Sequence, residues 1–281
     1  MKTTKTPNFA PHFIFLSVLF ILGNSVIGLP YRNANKYTFL GFLLSFIVLN
    51  VFWLIIFYLN LSRPLLLFPF ILSFWAGADA FVEILEFISQ TLLRNTPKIL
   101  ILLPLVFAVL VFAAASDLML FKFSVLLGLF SVTAVIFFAF FTAKDFNADN
   151  IIIKSLPSGN AILTQTIPYI KSVTLPSLLL CFYAKITKAS KKSAFGGLFC
   201  GNLLLAVCIL NSVLLFGSDF AGKLKYPYAS AISTVTLGNL FTRMDGFAYL
   251  IFFASVIVKI TVCIKIIRFV LLRNAGLKVR Y

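Results

Sequence analysis

Residues 65–92 read LLLFPFILSFWAGADAFVEILEFISQTL. The stretch is long enough to cross a bilayer as a helix, which takes about 20 predominantly apolar residues. It also carries Asp79, Glu83 and Glu86. Their spacing of i, i+4 and i+7 puts the three carboxylates on one helical face. A charge at the centre of a membrane helix costs roughly 2.5–3.5 kcal/mol on insertion scales. Acids at such depth are rare, and they mark routes for ions, protons or polar ligands.

The rest of the chain repeats the apolar pattern. Of 281 residues, 61% are hydrophobic and 11% charged, against about half and a quarter in soluble domains. The composition predicts an all-α membrane protein, a polytopic helical bundle. Apolar segments of spanning length occur at about eight places: residues 13–30, 37–59, 65–92, 99–115, 121–142, 162–186, 195–216 and 247–272. Most connections are short, so residues 1–281 form a single transmembrane domain. Two connections are longer, 143–160 and 217–246, and the second holds Tyr226-Pro227-Tyr228 and an amphipathic run over 231–240. That run reads as a lid or as an interfacial helix.

The net charge of +16 does not form one patch. Lys and Arg punctuate the apolar segments, as loops do under the positive-inside rule, and no nucleic-acid partner is expected. With the N-terminus in the cytoplasm, the inner ends collect Arg63, Lys185, Lys188, Lys191, Lys192, Lys265 and Arg268. An even number of spans then brings both termini to the cytoplasm. The basic start at Lys2 and Lys5 is followed by an apolar run without a small-residue cleavage signature, which predicts a retained first span. Cys181, Cys200, Cys208 and Cys263 lie within spans and read as small apolar core residues. His12 reads as an interfacial histidine. No nucleophile–base pair, phosphate loop or metal cluster stands out, so neither an enzyme nor a cofactor or metal is expected.

Two spans carry helix breakers. The first holds Gly23, Asn24, Ser25, Gly28 and Pro30, and the sixth holds Pro168, Lys171, Ser172, Thr174 and Pro176. Proline removes a backbone donor and clashes with the preceding turn. Broken helices at matched positions are what an inverted-repeat transporter shows, with a ligand site at the unwound backbone near the midplane. The bland alternative is a pair of kinked helices satisfied by their neighbours. Repeat one would cover about residues 11–143 and a partial repeat two about 157–273. Lys259 lies near the middle of the eighth span, where pairing with an acid of the third is the default expectation. Lys265 and Arg268 lie near the inner end, where snorkelling accounts for them. Gly197 and Gly201 form a small-xxx-small pattern, read as close helix packing.

The chain also resembles a known family, the B subunits of spore germinant receptors, which are amino-acid-permease-like membrane proteins. The resemblance rests on Glu83-Ile84-Leu85-Glu86-Phe87-Ile88 with the following Thr96-Pro97, on Tyr226-Pro227 leading to Arg243-Met244-Asp245, on Val258-Lys259-Ile260, and on the Gly-rich break ending at Pro30. It implies an inverted-repeat permease fold and a role in sensing small nutrients such as amino acids. It also implies A and C receptor subunits as partners and the spore inner membrane as location. The family has about ten spans, whereas this chain stops after the eighth. Val82 stands where a basic residue often precedes the first acid, and the acid expected after the break in the sixth span is absent.

Together these readings predict a small polar ligand bound by Gly23, Asn24, Ser25, Gly28, Asp79, Glu83, Ser172, Thr174 and Lys259. Asp79 with Lys259 is the expected central pair, and Glu83 with Glu86 an outer, more architectural one. The alternatives are a proton-coupled secondary amino-acid transporter, with Asp79 or Glu83 carrying the proton, and a degenerate structural subunit.

Overall fold

A computed structural model describes residues 10–27, 37–58, 64–150, 158–235 and 245–275. Among the described residues the chain is all-helical, with no strand. The helices are α1 (Ala10–Ile27), α2 (Thr38–Tyr58), α3 (Leu67–Phe87), α4 (Lys98–Ala114), α5 (Asp117–Thr142), α6 (Gly159–Tyr169), α7 (Leu175–Ile186), α8 (Lys191–Phe216), α9 (Ser218–Ala221), α10 (Pro227–Ser233) and α11 (Asp245–Asn274). A π-helical turn, Ile88–Leu92, extends α3, and another, Ile170–Thr174, joins α6 to α7.

Six helical stretches are long and apolar enough to cross a membrane: Thr38–Tyr58, Leu67–Leu92, Asp117–Asp145, Gly159–Ile186, Lys191–Phe216 and Ala248–Asn274. His12–Gly23 and Lys98–Ala114 are apolar but shorter. The chain is therefore a multi-pass membrane protein by length and composition. Its outer surface agrees, since large apolar side chains such as Phe74, Phe107, Phe140 and Leu250 are exposed on α3, α4, α5 and α11.

The bundle is arranged around α1, whose Phe13, Leu16, Leu19, Phe20 and Leu22 are fully buried. Glycines set its closest contact. A Cβ on Gly197 would fall 2.6 Å from Ser17 Cβ, and one on Gly201 would fall 2.6 Å from Ile21 Cδ1. The backbones of α1 and α8 thus approach as small-xxx-small packing requires. On its other sides α1 meets α5 and α11, while α3 packs along α11 and α2 along α6.

Polar pairs fasten both ends. At one end Thr142 Oγ1 donates to Asn211 Oδ1 at 2.9 Å, and Thr38 Oγ1 donates to Gln165 Oε1 at 3.0 Å. At the other, Lys265 Nζ lies 2.8 Å from Asp117 Oδ1 and donates to Ala115 O at 2.7 Å, while the Tyr183 hydroxyl donates to the same carboxylate oxygen at 3.0 Å. Snorkelling therefore does not describe Lys265. It closes an ion pair with the first residue of α5, where the helix dipole also favours an acid.

Other expectations shift in detail. Cys181, Cys208 and Cys263 are buried as small apolar residues, but Cys200 is exposed on α8. The amphipathic run of the long connection is helical earlier than its pattern indicates, over Pro227–Ser233, because proline is favoured at a helix start. That short helix buries Tyr228, Ala229, Ala231 and Ile232 against the bundle, and the Tyr228 ring lies 5.8 Å from that of Phe252 on α11. Residues 236–240 of the run lie outside the described residues.

Candidate functional site

The candidate site forms where the two breaker-rich helices meet. In α1 the backbone leaves helical geometry at Gly23 (φ −19°, ψ −119°), so the helix kinks there. A Cβ at this position would lie 3.2 Å from Lys259 Cδ and 3.5 Å from Lys259 Cβ. The missing side chain of Gly23 is thus the space through which the Lys259 stem runs. Lys259 is 1% exposed, and its Nζ lies 5.5 Å from the centroid of the Phe20 ring, one turn before the kink. Such a cation–π contact is worth about 2 kcal/mol or more when desolvated.

In the sixth apolar segment the break is a widened turn rather than an unwound loop. Pro176 lacks an N–H, so the carbonyl of Ser172, four residues earlier, loses its helical donor. The π-turn over Ile170–Thr174 absorbs the mismatch, as π-turns do inside α-helices at functional positions. Ser25 Oγ, two residues past the Gly23 kink, donates to that Ser172 carbonyl at 3.5 Å. The side chain of Ser172 turns back to Pro168 O at 2.8 Å. Ser25, Ser172 and Thr174 are all buried.

The acids come from α3. Gly77 sets the contact with α11, since its Cβ would lie 3.3 Å from Cys263 Cβ. One turn along α11 from Cys263 stands Lys259. The matching step along antiparallel α3 reaches Ala80, between Asp79 and Glu83. Cys263 and both carboxylates lie within electrostatic range of Lys259.

This geometry redraws the grouping expected from the sequence. Glu83 belongs with Asp79 and Lys259, not with Glu86. Asp79, Glu83 and Glu86 are all half-buried. Glu86 stands apart, ion-paired to Lys225 at 3.0 Å with both side chains 40% exposed. The cause is height along the helix. Asp79, Glu83 and Glu86 share one face, but α11 and the connection that precedes it reach that face at different heights.

Gly23, Ser25, Ser172 and Lys259 are thus brought together, with Asp79 and Glu83 beside them. Thr174 is not part of the convergence, because its hydroxyl donates to Ser45 O of α2 at 3.3 Å. Asn24 lies on α1 between Gly23 and Ser25, and Gly28 lies outside the described residues. Phe20 and Tyr169 were not singled out in the sequence. Tyr169 ends α6 directly before the π-turn and is fully buried, with its ring 5.6 Å from Phe42. Its hydroxyl has no hydrogen-bond partner among the described residues. A buried hydroxyl left unpaired costs about 1–3 kcal/mol, and only the adjacent breaker pattern hinted at it.

Beside α10 lies a cleft of about 480 Å³ lined by Thr91, Leu92, Arg94, Tyr226, Ser230 and Tyr249 among others. Phe87 closes its inner side, with Tyr226 and Tyr249 edge-on at 5.0 and 5.2 Å. The cleft gathers hydrogen-bonding groups and the Arg94 guanidinium just past the end of the helix that carries Glu86. No protein-family profile, curated protein or solved structure matches this chain.

Proposed function

We propose that the chain is a permease-like membrane subunit that senses a small polar nutrient such as an amino acid, as a B-type subunit of a spore germinant receptor. One observation carries the reading. Two helix breaks meet at Ser25 and Ser172 above a buried lysine with two carboxylates beside it. A zwitterion offers a carboxylate for Lys259 and an ammonium for Glu83 or Asp79. Binding there favours one of two packings of α1 against the π-turn, and a partner subunit reads the difference.

In this proposal the two shorter apolar helices also cross, which makes eight spans of an inverted-repeat fold with an incomplete second repeat. Both termini face the cytoplasm, the membrane is the spore inner membrane, and A and C subunits complete the receptor. The test is germination of a strain that lacks this gene and any redundant receptor. Loss of response to at least one nutrient, restored by the wild-type gene and not by the Lys259→Met variant, is expected. Unchanged responses to every nutrient would sink the proposal.

A second reading, proton-coupled amino-acid transport, draws on the same acids. A carboxylate beside a buried lysine is a group whose charge a bound substrate can change. Protein in liposomes under an imposed pH gradient separates the two: gradient-driven uptake marks a transporter, and binding without uptake marks a sensor.

A further inference from the structure

On the opposite flank of the π-turn runs an apolar groove of about 380 Å³, bounded by α2, the start of α3 and α7. Phe52, Phe68 and Phe182 form its walls, Ile170 and Thr174 of the π-turn close one end, and Lys185 stands at the other. Its lining is otherwise apolar, so a water-filled groove would be unfavourable, and within a bilayer the natural filling is hydrocarbon.

The lysine end is strongly positive. Lys185 Nζ lies 5.7 Å and Lys191 Nζ 5.6 Å from the centroid of the same Phe57 ring, and Lys191 also lies 5.1 Å from that of Tyr58. Lys188 and Lys192 follow within the same short turn, and no acid falls between Lys185 and Lys192. Lys185 donates to Ile56 O at 2.6 Å, in the last turn of α2. The end of a helix supplies only about half a negative charge, less than a single ammonium carries. Two like charges held against one ring at the mouth of an apolar groove fit a ligand with an anionic head and a hydrocarbon tail.

We propose that this groove holds an acyl chain of an anionic phospholipid, with its phosphate between Lys185 and Lys191 and its chain running to Ile170 and Thr174. The chain then packs on the outer side of the same π-turn whose inner side meets Ser25. An anionic lipid thereby stiffens the turn from outside the bundle and stabilises the protein.

The test compares full-length protein in nanodiscs of phosphatidylcholine with and without phosphatidylglycerol, and counts co-purified lipid by native mass spectrometry. Phosphatidylglycerol is expected to be retained over phosphatidylcholine by roughly tenfold, since each basic group near an anionic lipid contributes severalfold, and to raise the thermal midpoint. The double variant Lys185→Gln/Lys191→Gln is expected to lose the preference. Leu178→Trp, which fills the groove, is expected to lose retained lipid of either kind while still folding, as its circular dichroism reports. Inorganic phosphate at millimolar concentration is expected to give no stabilisation. Equal retention of the two lipids, a preference that survives the double glutamine variant, unchanged retention in Leu178→Trp, or full stabilisation by inorganic phosphate each overturns the assignment.

Discussion

Lys259 and Lys265 stand on the same helix, less than two turns apart, and they are held in opposite ways. Lys265 meets a carboxylate, a carbonyl and, through that carboxylate, a tyrosine hydroxyl, at distances of 2.7–3.0 Å. Lys259 is more deeply buried, against a phenylalanine face and the gap left by Gly23, with Glu83 and Asp79 in electrostatic range. The first is a closed network whose parts satisfy one another. The second places a lysine in an enclosed spot between two helix breaks, with two acids in electrostatic range. A protein that needed Lys259 only for stability would do as well with an apolar residue there, since buried ion pairs are often no more stabilising than packed hydrocarbon.

The sharpest way to break this contrast is at Lys259. Under the proposed sensing role, Lys259→Met is expected to abolish the response to nutrient, and Lys259→Met combined with Glu83→Gln to stay folded with a thermal midpoint close to wild type. A full response in the double variant would show that the site is only architectural. At Lys265 the expectation inverts. Lys265→Met leaves Asp117 without its cation and should cost about 1.5–3 kcal/mol in detergent unfolding. Adding Asp117→Asn should restore much of that loss, because the uncompensated charge is then gone.

Smaller effects refine the boundary of the central region. Ser25→Ala removes one bond at the outer limit of hydrogen bonding and should cost about 0.5–1.5 kcal/mol at most. It should nonetheless shift the nutrient concentration for half-maximal response, because it acts where the two breaks touch. Glu86→Gln should change unfolding by less than about 1 kcal/mol, as exposed pairs do. It should also leave the response intact. A strong loss of response there would move the working acid outward, to the cleft beside Tyr226.

Much of the fold was legible from hydropathy, since each apolar segment read from the chain holds a helix. The breaks were legible as well, because glycine and proline act on their own backbone. Gly23 and the prolines around Ser172 mark the kink and the π-turn without any knowledge of neighbours. Partnerships were not legible. Nothing in the spacing of Lys265 announces Asp117, which comes from a distant helix. Nothing in i, i+4, i+7 tells which of the acids faces α11. Tyr169 was hidden for the same reason: a tyrosine at a helix end is ordinary until its surroundings are known to lack a partner for its hydroxyl.

The glycines of α8 carry a mechanical consequence. Ser17 and Ile21 of α1 are clamped into the surface of α8 at Gly197 and Gly201, so that half of α1 cannot tilt without prising two backbones apart. Beyond Gly23 the clamp ends, and the remaining segment to Ile27 is a lever arm about 6 Å long at 1.5 Å per residue. Its fulcrum rests on the stem of Lys259. Any swing of that arm would press on α11 at Lys259, so the tip of α1 and the lysine are mechanically linked.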